Sequence, residues 1–218
     1  NDAPTLIATG QNPTFTEGEA APGADLFSGV NASTVESAQD VTGLTLTVTN
    51  VADGAAEILR IDGSDVALTN GTSVTTTTNS LTVNVSVASG TATVSFSGVT
   101  LSEAELETLV DGLAYRNTSE DPTTASNRVV TITEVVDSGS NTGANENTAT
   151  LSLASTVSLT SVNDAPTIAN VDGESTNITI GEGAQDVALL NDASIADPDA
   201  TDFNGGVLVI NQLTGTTN

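Results

Sequence analysis

The chain has 218 residues and a formal net charge of −25, set by 28 acidic residues against only Arg60, Arg116 and Arg128, and it contains no Cys, Met, Trp or His. That balance leaves no basic patch for nucleic acid or an anionic lipid surface, and no run of residues approaches the roughly 18 apolar positions of a membrane span. Without His, Cys or Lys there is no imidazole or thiolate chemistry, no zinc site built on them and no Schiff base, so an enzyme is not expected.

The word Asn-Asp-Ala-Pro-Thr opens the chain at Asn1–Thr5. Strand patterning follows. Leu44, Leu46 and Val48 alternate with Thr45, Thr47 and Thr49, which predicts a strand with one buried face. Asp62-Gly63 and Ser89-Gly90 are placed for tight hairpins, and Asp53-Gly54 and Asn70-Gly71 mark further turns. Leu81, Val83, Val85 and Val87 repeat the alternation, and Val94 and Phe96 continue it. The period then changes. Ser102 precedes Glu105 by three residues, and Leu106, Leu109 and Val110 fall at helical spacing, so a short helix is predicted over 102–110, closed by Asp111-Gly112. Leu113-Ala114-Tyr115 resumes as strand, followed by Val130, Ile132 and Val135. The longest strand carries Ala149, Leu151, Leu153, Val157 and Leu159 and runs into a second copy of the opening word at Asn163–Thr167.

These elements predict an all-β chain, an antiparallel Greek-key sandwich with a thin core of small apolar residues. Thr and Ser fill the alternate face of nearly every strand; a solvated sheet face is preferred here to an ice- or glycan-binding ladder. A word repeated at domain-sized distance predicts tandem modules, with 1–162 a complete module and 163–218 the N-terminal part of a second copy. The second part is small for an independent core without Cys, so the chain is expected to be a segment of something longer or to be completed by a neighbour. Zero cysteine fits an exported bacterial protein, and acids this numerous repel unless salt or bound cations screen them.

Val162-Asn163-Asp164-Ala165-Pro166 resembles the inter-repeat linker of cadherin and of the bacterial cadherin-like repeats found in giant surface adhesins. Other pieces agree in order. Glu17-Gly18 and Glu182-Gly183 resemble the family's acidic residue near the first strand, and Tyr115–Pro122 stands where its acidic mid-domain motif falls. Val136-Asp137-Ser138-Gly139 resembles its Asp-x-Gly turn, and Asp197-Pro198-Asp199 with Asn204-Gly205 resembles its Asp-x-Asp loop and later Asn-Gly. The resemblance covers nearly all of 1–162 and the start of the second copy. It implies cadherin-like, Ig-like sandwiches in tandem with calcium at the junction. Calcium takes six to eight hard oxygens, and the candidate ligands are Glu17, Glu120, Asp121, Asn163, Asp164, Asp197, Asp199 and Asn204. Pro166 would stiffen the linker by fixing φ. Two departures bear on this. Glu36-Ser37-Ala38 replaces the Asp-x-Asp pair in the first copy, so the upstream junction is expected to bind less calcium or none. Ser119-Glu120-Asp121-Pro122 replaces the usual acidic triplet, which leaves Glu120 and Asp121 interchangeable.

The function expected is an extracellular structural repeat: a calcium-stiffened spacer or filament-forming unit of a bacterial surface adhesin. Its partners would be neighbouring modules of the same or identical chains, joined through strand donation if the second copy is completed that way, and other cells or surfaces. The alternative is a carbohydrate- or protein-binding sandwich, which calls for an exposed aromatic cluster or a deep pocket.

Overall fold

The computed structural model describes residues 1–98, 100–142, 146–169 and 194–200. The chain divides into two compact units, Asn1–Val162 and Asn163–Asn218. The described residues are mostly strand, with one α-helix.

In the first unit the alternating segments fold as β1 (Thr5–Gly10), β2 (Thr14–Thr16), β3 (Ala24–Asp25), β4 (Phe27–Ser33) and β5 (Val41–Thr49). They continue as β6 (Glu57–Ile61), β7 (Ser64–Ala67), β8 (Ser73–Thr75), β9 (Thr82–Ala88) and β10 (Thr91–Ser97). Helix α1 (Glu103–Asp111) interrupts them before β11 (Ala114–Asn117), β12 (Arg128–Asp137) and β13 (Thr148–Thr160). A seven-stranded sheet has the order β2-β13-β12-β5-β10-β9-β8, a four-stranded sheet the order β3-β11-β6-β7, and β1 pairs with β4. Leu44, Leu46 and Val48 of β5, Val83 and Val85 of β9, and Val130 and Ile132 of β12 are buried in one core with Leu59 and Ile61 of β6 and Tyr115 of β11. Phe15 meets Tyr115 edge to face at 5.9 Å between ring centres.

Both predicted hairpins form as two-residue loops. Asp62 and Gly63 have φ of 47° and 78°, and Ser89 and Gly90 have 49° and 74°. Two consecutive positive φ values match the right-handed twist of the flanking strands. In β12 the register slips between Ile132 and Glu134 against both neighbours. This bulge at Thr133 returns Val135 to the core face that Val130 and Ile132 occupy.

One pairing departs from the antiparallel expectation. β13 and β2 run parallel, with Ser158 opposite Thr14 and Thr160 opposite Thr16. The cause is a strand that changes partner. β1 pairs antiparallel with β4, leaves it at Gln11–Pro13, and continues as β2 beside β13, which runs the same way. The crossing is tight: a Cβ on Gly10 would lie 2.1 Å from the Ala154 carbonyl oxygen, so only glycine fits.

In the second unit, β14 (Thr167–Ala169) and β15 (Ser194–Ala196) form an antiparallel ladder with Ile168 opposite Ile195. Each copy of Asn-Asp-Ala-Pro-Thr therefore leads into an antiparallel strand pair, Leu6 opposite Ala32 in the first unit.

Helix α1 begins with a full capping box. The Ser102 side chain accepts from the Glu105 amide, the Glu105 side chain accepts from the Ser102 amide, and Leu106, Leu109 and Val110 are buried. Ser102→Ala is expected to lower the unfolding free energy by about 1 kcal/mol, read from urea unfolding followed by circular dichroism.

Candidate functional site

Two segments of the first unit converge on its first two residues. The loop after β4 brings Glu36, whose Oε1 accepts the Asp2 amide at 2.8 Å, and Gln39, whose Nε2 donates to Asn1 Oδ1 at 2.6 Å. The turn after β12 brings Asp137, whose Oδ1 accepts the Gly139 amide at 2.7 Å. Gly139 abuts the Asn1 side chain so closely that a Cβ would sit 2.0 Å from Asn1 Oδ1. The Ser138 amide and hydroxyl bond Asp40 and tie this turn to the Glu36–Gln39 loop.

This end holds most of the unpartnered buried polar atoms. Glu36 Oε2, Gln39 Oε1 and Asp137 Oδ2 are buried and accept no hydrogen bond, and Asp137 is 1 % exposed. The other such atoms among the described residues are Asp164 Oδ2 and Arg116 Nε. A buried acceptor with no donor is costly, and carboxylate and amide oxygens are the hard ligands that calcium takes. The loop is also strained: Val35 and Ala38 have φ of 69° and 73°, a region that penalises a Cβ, most of all in a β-branched residue. In donor chemistry, two carboxylates and an amide oxygen are of the kind that calcium takes.

The second unit shows the same device. The Asp164 amide donates to Asp199 Oδ2 across 35 residues, where Asp2 donates to Glu36 across 34. Asp197 Oδ1 accepts the Asp199 amide at 3.0 Å, Asn163 Nδ2 donates to the Asp164 carbonyl at 2.7 Å, and Asp164 Oδ2 is left without a donor. Four of the sequence-predicted ligands are thus joined by hydrogen bonds here: Asn163, Asp164, Asp197 and Asp199. Asn204 lies outside the described residues, as does Glu182. The upstream copy was expected to be the weaker for want of an Asp-x-Asp pair, yet Glu36 makes the bond that Asp199 makes.

The remaining candidates lie at the other end of the first unit. Glu17 follows β2; its amide donates to the Thr160 carbonyl at 2.9 Å and its Oε2 accepts the Val162 amide at 2.8 Å. Glu17 therefore fixes the first residue of the linker. Glu120 and Asp121 are exposed in the loop between β11 and β12, with the Asp121 amide on Ser119 Oγ at 3.2 Å.

Beneath that loop lies a cluster that the sequence analysis did not identify. Arg128 and Glu57 are both fully buried. Arg128 Nε and Nη2 donate to Glu57 at 3.0 and 2.9 Å, Nη2 also reaches Asp53 at 3.1 Å, and Nη1 donates to the Thr123 and Ser126 carbonyls. Glu57 also accepts the Ala52 and Asp53 amides and the Tyr115 hydroxyl at 2.9 Å. Asp53 in turn accepts from Asn117 and Thr123. Burial pushes the Tyr115 phenol well above its ordinary range, and the Glu57 carboxylate pushes it further. Burial alone would lower the Arg128 pKa, but its hydrogen bond to Glu57 and that carboxylate's charge outweigh it and hold the guanidinium above its ordinary value. The signal was present in the sequence: Arg128 is in phase with Val130 and Ile132, and Glu57 with Leu59 and Ile61, on faces that point inward.

No family model, curated protein or solved structure matches the chain.

Arg128→Met would leave Glu57 charged, buried and without its cation, and is expected to cost about 3–5 kcal/mol in urea unfolding. Pairing it with Glu57→Gln should recover part of that loss. Tyr115 gives a second test. Its raised pKa contributes stability that is complete below the ordinary phenol value near 10 and is lost as pH rises through the folded-state value. The chain has one Tyr and no Lys or Cys, so Tyr115 is the only side chain whose ordinary pKa lies near that pH. Unfolding free energy should fall above about pH 10 in the parent, and Tyr115→Phe should flatten that fall.

Proposed function

We propose that the chain is a structural, non-enzymatic repeat of an extracellular protein: a cadherin-like spacer or fibre-forming module of a bacterial adhesin or surface filament, stiffened by calcium at the ends of its modules. One observation carries this reading. In both units the aspartate of the Asn-Asp-Ala-Pro-Thr word has its amide held by an acidic side chain 34 or 35 residues on, and a buried carboxylate oxygen nearby has no donor.

Calcium would supply the partner that Glu36 Oε2, Gln39 Oε1, Asp137 Oδ2 and Asp164 Oδ2 lack. Glu36, Gln39 and Asp137 would hold it upstream. Downstream, Asp164, Asp197 and Asp199 would hold it, with Asn163 as a further oxygen donor. Each ion would fix a linker against the loops beside it and neutralise acids that otherwise repel. Neighbouring modules of the same or identical chains are the partners this reading requires. The carbohydrate- or protein-binding alternative needs exposed aromatics, and among the described residues the aromatics Phe15, Phe27, Phe96 and Tyr115 are each at most 5 % exposed.

Calorimetry with calcium and with a chelator tests the reading. Calcium at 100 times its Kd is expected to add about 2.7 kcal/mol of stability and raise Tm accordingly. Asp137→Ala and Glu36→Ala should each shrink that gain. An unchanged Tm, together with unchanged interdomain flexibility in X-ray scattering, would rule calcium out.

A further inference from the structure

The loop that carries Glu36 and Gln39 is held from outside. Thr34, 2 % exposed at the start of the loop, donates its amide to Glu103 Oε1 at 2.6 Å. Its hydroxyl lies 3.2 Å from the same oxygen, 3.2 Å from the Glu36 carbonyl and 3.4 Å from the Gln39 carbonyl. A hydroxyl donates one proton, so the amide bond to Glu103 is the fixed part of this arrangement and the hydroxyl serves one acceptor at a time.

Glu103 sits in the first turn of α1, where the helix end favours negative charge and the Ser102–Glu105 box sets the backbone. One turn on, Glu107 Oε1 accepts the Ala32 amide at 2.9 Å. Carboxylates four residues apart stand about 6 Å apart along a helix, and amides two residues apart on one strand edge stand about 6.6 Å apart. That match lets α1 lie along β4 as a surrogate neighbouring strand, with Glu103 reaching the point where the strand ends and the loop begins.

We propose that Glu103 is a positioning residue for the cation site at this end of the first unit: through Thr34 it holds the loop that presents Glu36 and Gln39. The proposal rests on the calcium reading given above. Without Glu103 the Thr34 amide loses its acceptor, and the left-handed backbone at Val35 loses a restraint that keeps it there. Glu36 and Gln39 then no longer stand pre-set. Support of ligands from behind is typically worth about 10–100-fold in metal affinity.

The test is a calcium titration by calorimetry on the whole chain, paired with amide hydrogen exchange over Thr34–Gln39 in chelator. Glu103→Ala should weaken the upstream site about 10–100-fold and speed exchange at Thr34 and Val35. Ala is a strong helix former and leaves the capping box intact, so the variant should fold; if it does not, Glu103→Asp takes its place. Glu103→Gln keeps an acceptor oxygen and should restore most of the affinity. Glu107→Ala, which touches β4 but not the loop, should bind as the parent does. Equal affinity in parent and Glu103→Ala overturns the proposal, and so does an equal loss in Glu107→Ala. A parent that binds no calcium overturns the functional reading instead. Exchange in chelator still judges Glu103 in that case, and unchanged rates at Thr34 and Val35 refute its role.

Discussion

At one end of the first unit, the two sheets are held together by a buried ion pair rather than by apolar contact alone. Arg128 begins β12 in the seven-stranded sheet, and Glu57 begins β6 in the four-stranded sheet. A guanidinium has five N–H donors, and Arg128 makes five hydrogen bonds, to Glu57, Asp53 and two loop carbonyls. Glu57 receives five in return, two of them from backbone amides of the turn before it. Buried charge is tolerable only when matched this fully. The match ties the turn at Asp53, strand β11 through Tyr115, and the Thr123–Ser126 segment to one point. The loop carrying Glu120 and Asp121 is anchored there at both ends.

The opposite end is built on the contrary principle. Loops there bring acids and amides together and leave several acceptors without a donor, and the cation beside them is the Asn1 ammonium, 3.8 Å from Glu36 Oε1. With three arginines in 218 residues, one of them buried at Glu57 and two sharing Asp65 on the surface, no arginine is left to neutralise these acids. On the proposed reading, positive charge is supplied from solution. Assembly would then depend on the medium in a way that the first end does not.

Much of this fold was legible in the sequence because its signals are local. The phase of Leu44, Leu46 and Val48, the Asp62-Gly63 and Ser89-Gly90 turns, and the Ser102–Glu105 box each act within a few residues. What was not legible depends on distance or on side-chain reach. Three residues of β2 carry too little alternation to show a partner, and the parallel pairing follows from where β1 leaves β4. Arg128 and Glu57 lie in phase with the core, but charge is ordinarily read as exposure. Glu36 falls outside a pattern of paired aspartates, a signal that takes no account of side-chain length. Its longer side chain reaches the Asp2 amide from one residue nearer in sequence than Asp199 reaches Asp164.

The change of partner between β1 and β2 also decides how the first unit meets tension. Pulled apart at Asn1 and Val162, β2 is drawn toward one end and β13 toward the other. Because the two strands run parallel, the bonds from Ser158 to Thr160 are loaded side by side instead of opening in turn. The Ser158 amide on Pro13, the Glu17 amide on Thr160 and the Glu17 carboxylate on Val162 share that load. Rupture then requires several hydrogen bonds to fail together, which raises the barrier that governs forced unfolding. A three-residue strand, minor in the static architecture, becomes the shear clamp of the unit.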